Sequence, residues 1–327
     1  MAQKTPGDPP SHLRTRGSME AGDRKVAYPA APEPLAVAVY DNHAHLEIAD
    51  GENPLDFREH LDRAGGVGVH GVVQVGTDVP TSLWSADVAA IEPRVLAAVA
   101  IHPNEAPELH QKGTLDDALH VIDDLAKRPR VVAIGETGLD YFRTEGPLLA
   151  PQRRSFIEHI RIAKSHNVAL QIHDRDAHRD VVDILLAEGA PERTVFHCYS
   201  GDAELAEILN QNGWYASFAG NVTFKNAKGI QAALSVMNRS HILIETDTPF
   251  LTPIPHRGKP NSPYLIPHTL RFMAGLLEVE ENLLAAQLTD NTFDVYGRWD
   301  DNPPAVRTNP VTGQPWSTLE PSPFHAS

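Results

Sequence analysis

The sequence predicts an α/β fold, a single (β/α)8 TIM-barrel domain with flexible N- and C-terminal tails. Eight apolar runs of strand length recur along the chain, and segments with helical spacing of apolar residues separate several of them. The runs are rich in Val, Ile and Ala on both faces, as in parallel strands that helices cover. A chain of 327 residues has room for one such barrel, which takes roughly 250 residues.

The eight runs alternate with connecting segments over most of the chain. In order they are LAVAVYD, HGVVQVG, RVLAAVAIH, RVVAIGE, NVALQIH, RTVFHC, GWYASFAG and HILIETD. An open sheet with nine strands is the alternative architecture. The Gly-rich dinucleotide fingerprint of doubly wound sheets does not follow the first run, which favours the barrel.

Two connecting segments carry clear helical patterns. Phe156, Ile160 and Ala163 follow helical spacing after the fourth run, and a similar pattern follows the fifth. Gly189 and Gly213 come directly after helical segments, where glycine commonly ends a helix. Strand and helix therefore alternate, as a barrel requires.

The two ends of the chain differ in character from the middle. Residues 1–34 and 300–327 mix Pro, Gly and charged residues without apolar periodicity. We therefore expect a disordered N-terminal extension over 1–34, the barrel over 35–299 and a Pro-rich tail over 300–327. Hydrophobic residues make up 41% of the chain and charged residues 22%, which predicts a sizeable core between the tails.

Charge and cysteine content restrict the kinds of function. The formal net charge of −15 argues against a long basic groove, so a nucleic acid would be bound locally, with divalent cations supplying positive charge. The single cysteine, Cys198, excludes an internal disulfide and suits a reducing cytosol. No membrane-length apolar run or signal peptide is evident, so we expect a cytoplasmic protein with no membrane partner and no obligate protein partner.

Residues that commonly bind metals follow five of the eight predicted strands. They are His43, His45, Glu136, His173, His197 and Asp247. The carboxyl ends of barrel strands meet at one mouth, where active sites form. His43 and His45 are two residues apart, so both side chains point to the same side of an extended strand. Six nitrogen and oxygen ligands exceed one tetrahedral site and predict two divalent ions, Mg, Mn or Zn, that share a carboxylate.

Several strings in the chain resemble, in order, the motifs of the TatD-type deoxyribonucleases. They are DNHAHL, IHP, GETGLDYF, LQIHDRDA, FHCYSG, SFAGNVTFK and ETDTPFLTPIPHRGKPNSP, and they cover about residues 37 to 298. The resemblance implies a TIM-barrel metal-dependent hydrolase whose substrate is a DNA phosphodiester, often attacked from a 3′ end. It also implies a distribution of ligands: His43, His45 and Asp247 on one metal, His173 and His197 on the other, with Glu136 as the bridge.

The predicted function is divalent-metal-dependent cleavage of DNA, in the form of strand ends or short single strands, as a 3′ exonuclease. A hydroxide activated by two metals would attack phosphorus, with Asp247 and Glu136 as catalytic residues and Asp247 positioning the water or taking its proton. The alternative is a TIM-barrel amidohydrolase or esterase acting on a small molecule or an aminoacyl ester. Related amidohydrolases commonly bridge their metals with a modified lysine at strand 4, where this chain has Glu136. A scaffold protein without chemistry is disfavoured because every ligand is present.

Three further residues are candidate substrate contacts. His102 lies at the end of the third predicted strand, where it could hydrogen-bond a phosphate. Arg175 could clamp a phosphate, but acidic neighbours on both sides could equally hold it in a local ion pair. Arg257 lies in a Pro-rich basic loop that suits a strand end, and solubility alone could also explain its charge. Tyr141 and Phe142 could stack on a base, although packing as a lid or in the core is the favoured interpretation.

Overall fold

A computed structural model describes residues 9–16 and 26–301 of the chain. Its main sheet has eight parallel strands in a nearly closed barrel, so the predicted fold is confirmed. The strands of the described residues are β1 (Arg14–Thr15), β2 (Val39–Ala44), β3 (Ile48–Ala49), β4 (Val69–Val75), β5 (Val95–Val99), β6 (Val131–Asp140), β7 (Ala169–Arg175), β8 (Thr194–Phe196), β9 (Tyr215–Phe218) and β10 (Ile242–Ile244). The barrel order is β2, β4, β5, β6, β7, β8, β9 and β10, and each of the eight predicted runs overlaps one of these strands.

Helices connect most neighbouring strands of the barrel. Those in the described residues are α1 (Phe57–Gly65), α2 (Val79–Ala89), α3 (Ala106–Gln111), α4 (Leu115–Leu125), α5 (Leu149–His166), α6 (His178–Glu188), α7 (Ala203–Asn212), α8 (Lys228–Val236), α9 (Ile266–Leu277) and α10 (Glu281–Tyr296). α6 and α7 end at Gly189 and Gly213, as predicted. Within the described ranges, no helix combines the length and the apolar content that a bilayer span needs.

Side-chain and main-chain contacts join the first and last barrel strands. The Asn42 amide donates to the carbonyl oxygen of Ile244 at 2.7 Å. Farther toward the mouth, Asp247 N donates to the carbonyl oxygen of His43 at 2.9 Å, and an isolated parallel bridge pairs Ala44 with Thr248. The loops after β2 and β10 are therefore held side by side.

The apolar core has two parts, one on each side of the barrel wall. The larger cluster packs strand residues such as Val72 and Ile172 against the surrounding helices. The smaller cluster contains Val73, Ala169 and Leu243, which alternate with the outward-facing residues and fill the inside of the barrel. The interior is thus a packed core, and polar side chains can gather only at its ends.

Two parts of the N-terminal extension differ from the predicted disorder. Residues 9–16 contain β1, which pairs with β3 in parallel, with Arg14 opposite Ile48. Farther along, the Tyr264 hydroxyl donates to the carbonyl oxygen of Pro29 at 2.6 Å. Polar contacts hold both segments, and within the second described segment only Tyr28 packs against the core, so neither shows an apolar period in the sequence. Residues 1–8, 17–25 and 302–327 lie outside the described residues, and the domain boundaries at 35 and 299 remain predictions.

Candidate metal centre

Inward-facing positions of the barrel strands change from apolar to polar toward the carboxyl end. The change is seen along Ala169, Gln171 and His173 on β7, along Val195 and His197 at β8, and along Leu243, Glu245 and Asp247 at β10. Because side chains alternate along a strand, residues two apart share a face. The structure thereby brings together the six residues that the sequence predicts as ligands.

The first ligand group consists of His43, His45 and Asp247, whose candidate ligand atoms lie within 4.8 Å of one another. Nε2 of His43 is 3.2 Å from Nε2 of His45, and the latter is 3.6 Å from Oδ1 of Asp247. The two imidazoles are buried, and the Asp247 side chain is 14% exposed. The group is therefore nearly closed to solvent on its histidine side.

The other ring nitrogens determine which atoms can bind a cation. Nδ1 of His45 lies 3.0 Å from the carbonyl oxygen of Val75, which can only accept, so this nitrogen carries the proton. Nδ1 of His43 lies 3.1 Å from Oε1 of Gln171, whose amide nitrogen already donates to a carbonyl oxygen and a tyrosine hydroxyl. Burial lowers the pKa of both histidines, so both rings are neutral. Each ring therefore presents an Nε2 lone pair to the same point.

The second ligand group consists of His173 and His197, which both face Oε1 of Glu136. Nδ1 of His173 is 2.6 Å from this oxygen, and Nε2 of His197 is 2.8 Å from it. The other nitrogen of each ring faces a further carboxylate, at 3.2 Å from Asp140 and at 3.3 Å from Glu245. Carboxylates in this position orient a metal-binding histidine and raise its basicity.

Glu136 lies between the two ligand groups. Its Oε2 is 3.7 Å from Nε2 of His43 and 3.6 Å from Nε2 of His45, whereas its Oε1 faces the second ligand group. Grouping by distance alone divides the ligands differently, because His197 clusters with His43 and Glu136, and His173 clusters with His102 and Glu136. His173 and His197 thus share Glu136 without lying in one common cluster.

The protonation of the centre reflects its density of charge. Burial would raise the pKa of Glu136, but the charge of His197 and hydrogen bonds from His102 and His173 outweigh it and hold that pKa well below the ordinary value. Burial would lower the pKa of His197, yet Glu136 and Glu245 raise it well above the ordinary value. Burial, aided by Glu136 and Glu245, raises the pKa of Asp247. Protons on His197 and Asp247 thus offset the negative charge of the neighbouring carboxylates, and a bound cation would displace these protons.

The donor set fits divalent cations. Imidazole nitrogen and carboxylate oxygen together suit Zn and Mn, and the carboxylates also suit Mg. In the first ligand group two lone pairs and a carboxylate oxygen converge within 4.8 Å, an arrangement of acceptors that a cation stabilises.

A protein-family model for TatD-related DNase matches residues 40–297. The chain belongs to the TatD family. A relative from Mycobacterium tuberculosis, described as an uncharacterized metal-dependent hydrolase TatD, is 39% identical over 262 residues, or 79% of this chain and 97% of the relative. The metal-dependent hydrolase YcfH of Escherichia coli K12, also described as uncharacterized, is 36% identical over 77% of this chain and 92% of its own length. The chain is thus a metal-dependent hydrolase of the TatD family.

Solved structures share the TatD barrel. The TatD homologue YJJV of Escherichia coli K12 matches with a TM-score of 0.73 and 23% identity, over 80% of this chain and 98% of its own. A phosphotriesterase homology protein of Escherichia coli, solved with phosphate in its active site, matches with a TM-score of 0.60 and 14% identity, over 79% and 98% of the two chains. At these identities the comparisons support the fold.

Three residues of this TatD centre received no role from the sequence. Asp140 and Glu245 are the carboxylates behind His173 and His197, and Gln171 holds His43. A signal for two of them was present, since Gln171 and Glu245 each precede a predicted ligand by two residues and share its strand face. Asp140 lies within the GETGLDYF string, but its contact with His173 depends on the pairing of β6 with β7.

His102 lies beside Glu136 and presents a donor to the centre. The main-chain N–H of Asn104 donates to Nδ1 of His102 at 3.1 Å, so this nitrogen carries the lone pair. Burial lowers the pKa of His102 and favours the neutral ring, whose proton then resides on Nε2, 3.4 Å from Oε1 of Glu136. This tautomer suits a hydrogen-bond donor rather than a metal ligand.

Arg175 and Arg257 each stack on an aromatic ring near the ends of barrel strands. The Arg175 guanidinium lies 3.9 Å from the ring centre of Phe142, which is 64% exposed. Its neighbour Asp174 instead accepts from Nδ1 of His178 at 2.7 Å. Among the described residues, no salt bridge joins Arg175 to either adjacent aspartate, so the local ion pair considered from the sequence is not formed. Arg257 lies 4.3 Å from the ring centre of Phe224.

Gly138 allows β6 to approach β7 beside Glu136. Its φ of +137° lies in a region that other residues rarely adopt. A Cβ atom at this position would lie 2.1 Å from the carbonyl oxygen of His173. The glycine therefore brings the strand that carries Glu136 against the strand that carries His173.

Proposed function

We propose that this TatD-family hydrolase is a deoxyribonuclease that hydrolyses phosphodiester bonds from a strand end, as a 3′ exonuclease, with two divalent ions. The observation that carries the proposal is the position of Glu136, which turns one oxygen to each ligand group. A carboxylate so placed is suited to bridge two cations, the arrangement used for displacement at phosphorus. The match to the TatD-related DNase model supports DNA as the substrate.

The first ligand group would hold one ion, the second ligand group would hold the other, and Glu136 would be a ligand of both. Mg, Mn and Zn are all compatible with the mixed nitrogen and oxygen donors. When bound, the two ions would supply positive charge to the phosphoryl oxygens and lower the pKa of water. Asp140 and Glu245 would hold His173 and His197 in place.

The protein's own side chains would orient the water and the phosphate. Asp247 is the proposed base, because its carboxylate is part of the first ligand group and its main-chain N–H donates to the carbonyl oxygen of His43. It would align the attacking water and take its proton. His102 would donate its Nε2–H to a phosphoryl oxygen. Arg175 and Arg257 would contact the flanking phosphates.

Binding at a strand end is consistent with the overall charge. The net charge of −15 leaves little capacity for tracking a long duplex. The exposed ring of Phe142, backed by Arg175, offers a stacking surface for one base close to the centre. A short single strand would thus gain local contacts without a basic groove.

The cytoplasmic location stays a prediction from the cysteine content.

The alternative is hydrolysis of an ester or amide in a small molecule or an aminoacyl ester. It is kept because the relatives are described only as metal-dependent hydrolases. The proposed bridge on the fourth barrel strand, β6, is Glu136, where related amidohydrolases use a modified lysine, and this difference favours the nuclease.

The deciding experiment compares substrates on one enzyme preparation. Single-stranded DNA labelled at the 3′ end and a panel of esters, amides and lactones are each incubated with Mg, Mn and Zn in turn, with Asp247→Asn as the inactive control. We expect the unmodified enzyme, and not the control, to release the 3′ label as a single nucleotide. Turnover of an ester or amide without any DNA cleavage would establish the alternative instead.

A further inference from the structure

We infer that residues 9–16 form an N-terminal strap that positions the first ligand group, with Arg14 and Arg16 as its positioning residues. The inference rests on the proposed metal centre but not on DNA as the substrate. The strap precedes residue 40, where the match to the TatD family begins. Any role of the strap is therefore a property of this chain rather than of the matched family region.

The strap is attached along the loop that follows β2. Its strand β1 pairs with β3, and Leu13 N donates to the carbonyl oxygen of Glu47 at 2.9 Å. At its beginning, Pro10 accepts a hydrogen bond of 2.8 Å from the Trp84 indole N–H on α2. Main-chain and side-chain contacts therefore fix the strap before either arginine is considered.

Arg14 compensates a fully buried carboxylate beside a proposed ligand. Its Nε and Nη2 donate to Oε1 of Glu47 at 3.1 and 2.6 Å. Glu47 is two residues past His45, and its Oε1 is 4.0 Å from Nδ1 of that histidine. Its Oε2 accepts from the amide of Gln74 at 2.7 Å. A buried charge that loses its partner is strongly unfavourable, so the loop carrying His45 would have to rearrange without Arg14.

Arg16 binds the loop that carries the third ligand of the same group. Its Nη1 donates to the carbonyl oxygen of Pro249 at 2.7 Å and to Oδ2 of Asp50 at 3.2 Å. Pro249 is two residues past Asp247. The guanidinium also lies 4.9 Å from the ring centre of Phe250. Arg16 thus connects the loop after β10 to the segment around β3.

The two arginines therefore brace both loops that supply the first ligand group. One contacts the chain two residues past His45 and the other two residues past Asp247. Metal affinity depends on ligands being held near their binding geometry by supporting contacts. Replacing either arginine should weaken cation binding at the first ligand group without unfolding the barrel.

The test measures cobalt binding by the full-length chain after chelator treatment. Co²⁺ titration gives the dissociation constants, and the visible absorption spectrum reports ligand geometry. We expect Arg14→Gln to weaken one Co²⁺ site about tenfold or more and to change its spectrum. Arg14→Lys keeps the charge next to Glu47, so most of the Co²⁺ affinity and of the original spectrum should be recovered. Arg128→Gln breaks the exposed bridge to Asp87 and is the matched control, with unchanged binding.

Arg16→Met keeps the inference testable if Arg14→Gln fails to fold. It removes the hydrogen bond to Pro249 without altering Glu47, and we expect a smaller loss of Co²⁺ affinity at the same site. Wild-type affinity and spectrum in whichever of these two variants folds would overturn the inference, even if its melting temperature falls. An unmodified enzyme that binds no Co²⁺ would instead contradict the proposed metal centre itself.

Discussion

Nε2 of His43 lies 3.2 Å from Nε2 of His45, and neither ring can relieve this contact by exchanging its protons. The carbonyl oxygen of Val75 keeps the proton of His45 on Nδ1, and Gln171 keeps that of His43 on the same ring position. Two lone pairs therefore face each other in a buried site. This relationship suits the first ligand group to binding a cation by its chemistry, independently of any relative.

Gln171 should contribute to metal affinity without being a ligand. Gln171→Leu removes the acceptor for Nδ1 of His43, so the ring can rotate or take the other tautomer. We expect the affinity of one ion to fall roughly 10- to 100-fold, as for other partners of metal-binding histidines. Competition with a chromogenic chelator measures this change. Gln171→Glu retains the acceptor and should retain more affinity, whereas equal affinities in all three proteins would remove Gln171 from the centre.

Glu136 and His197 should differ in their effect on metal content. Glu136→Ala removes a ligand from each ion and the negative charge that screens their repulsion, so both sites should weaken together. His197→Ala leaves the first ligand group and Glu136 intact. After dialysis, metal analysis should fall from near two ions per chain (the number we propose) toward zero in the first variant and toward one in the second. Two retained ions in Glu136→Ala would contradict the bridge.

Asp247→Asn separates metal binding from proton transfer. The amide oxygen can still coordinate, but the side chain has lost its charge and basicity. We expect much of the bound metal to remain while turnover of labelled DNA drops by roughly two or more orders of magnitude. Steady-state rates should be measured at matched metal occupancy. Turnover close to that of the unmodified enzyme would exclude Asp247 as the base.

His60 should make the barrel less stable in mild acid. It is 1% exposed and bonded to the Ser262 hydroxyl at 2.7 Å. Burial, with smaller contributions from His12 and Arg63, lowers the pKa of His60 from 6.5 to about 3. As the pH falls below 6.5, His60 becomes protonated in the unfolded chain but stays neutral in the folded chain. The free energy of unfolding therefore decreases. At pH 5 this amounts to about 2 kcal/mol relative to pH 7.

Urea unfolding of the metal-free protein at pH 7 and pH 5 measures the effect. The unmodified chain should lose about 2 kcal/mol more stability than His60→Gln between these values. Replacing His70, which is exposed, by Gln serves as the control and should leave the pH dependence unchanged. Equal losses in the unmodified chain and in His60→Gln would show that His60 is not a neutral buried group.

The barrel could be predicted because its determinants are local. Buried parallel strands are continuous apolar runs, and even β8, only three residues long, lies in such a run. The clustering of the candidate ligands could be predicted because the carboxyl ends of barrel strands converge on one mouth, which brings His43 and Asp247 together from opposite ends of the domain. Periodicity and topology were sufficient for both.

The parts that escaped prediction depend on single long-range polar contacts. Arg14 reaches Glu47, and Arg16 reaches Pro249, through a segment too short to show any period. The donor character of His102 depends on the main-chain N–H of Asn104, which the sequence pattern does not reveal. The stacking of Arg175 on Phe142 depends on the loop after β6. No spacing rule encodes these contacts.

The seam between β2 and β10 has a consequence for the order of synthesis. The hydrogen bond from Asn42 cannot form until Ile244, 202 residues later in the chain, has been synthesised. His43 and His45 likewise lack Asp247 as a partner until the last strand is complete. On a growing chain the strap and the first histidines emerge early, with no carboxylate partner from the last strand. Because a preformed site is needed for tight binding, an ion captured before β10 has emerged would be held weakly and exchange freely. Loading of the proposed ions would thereby be tied to completion of the ring, so a truncated product would be released without its full complement of metal.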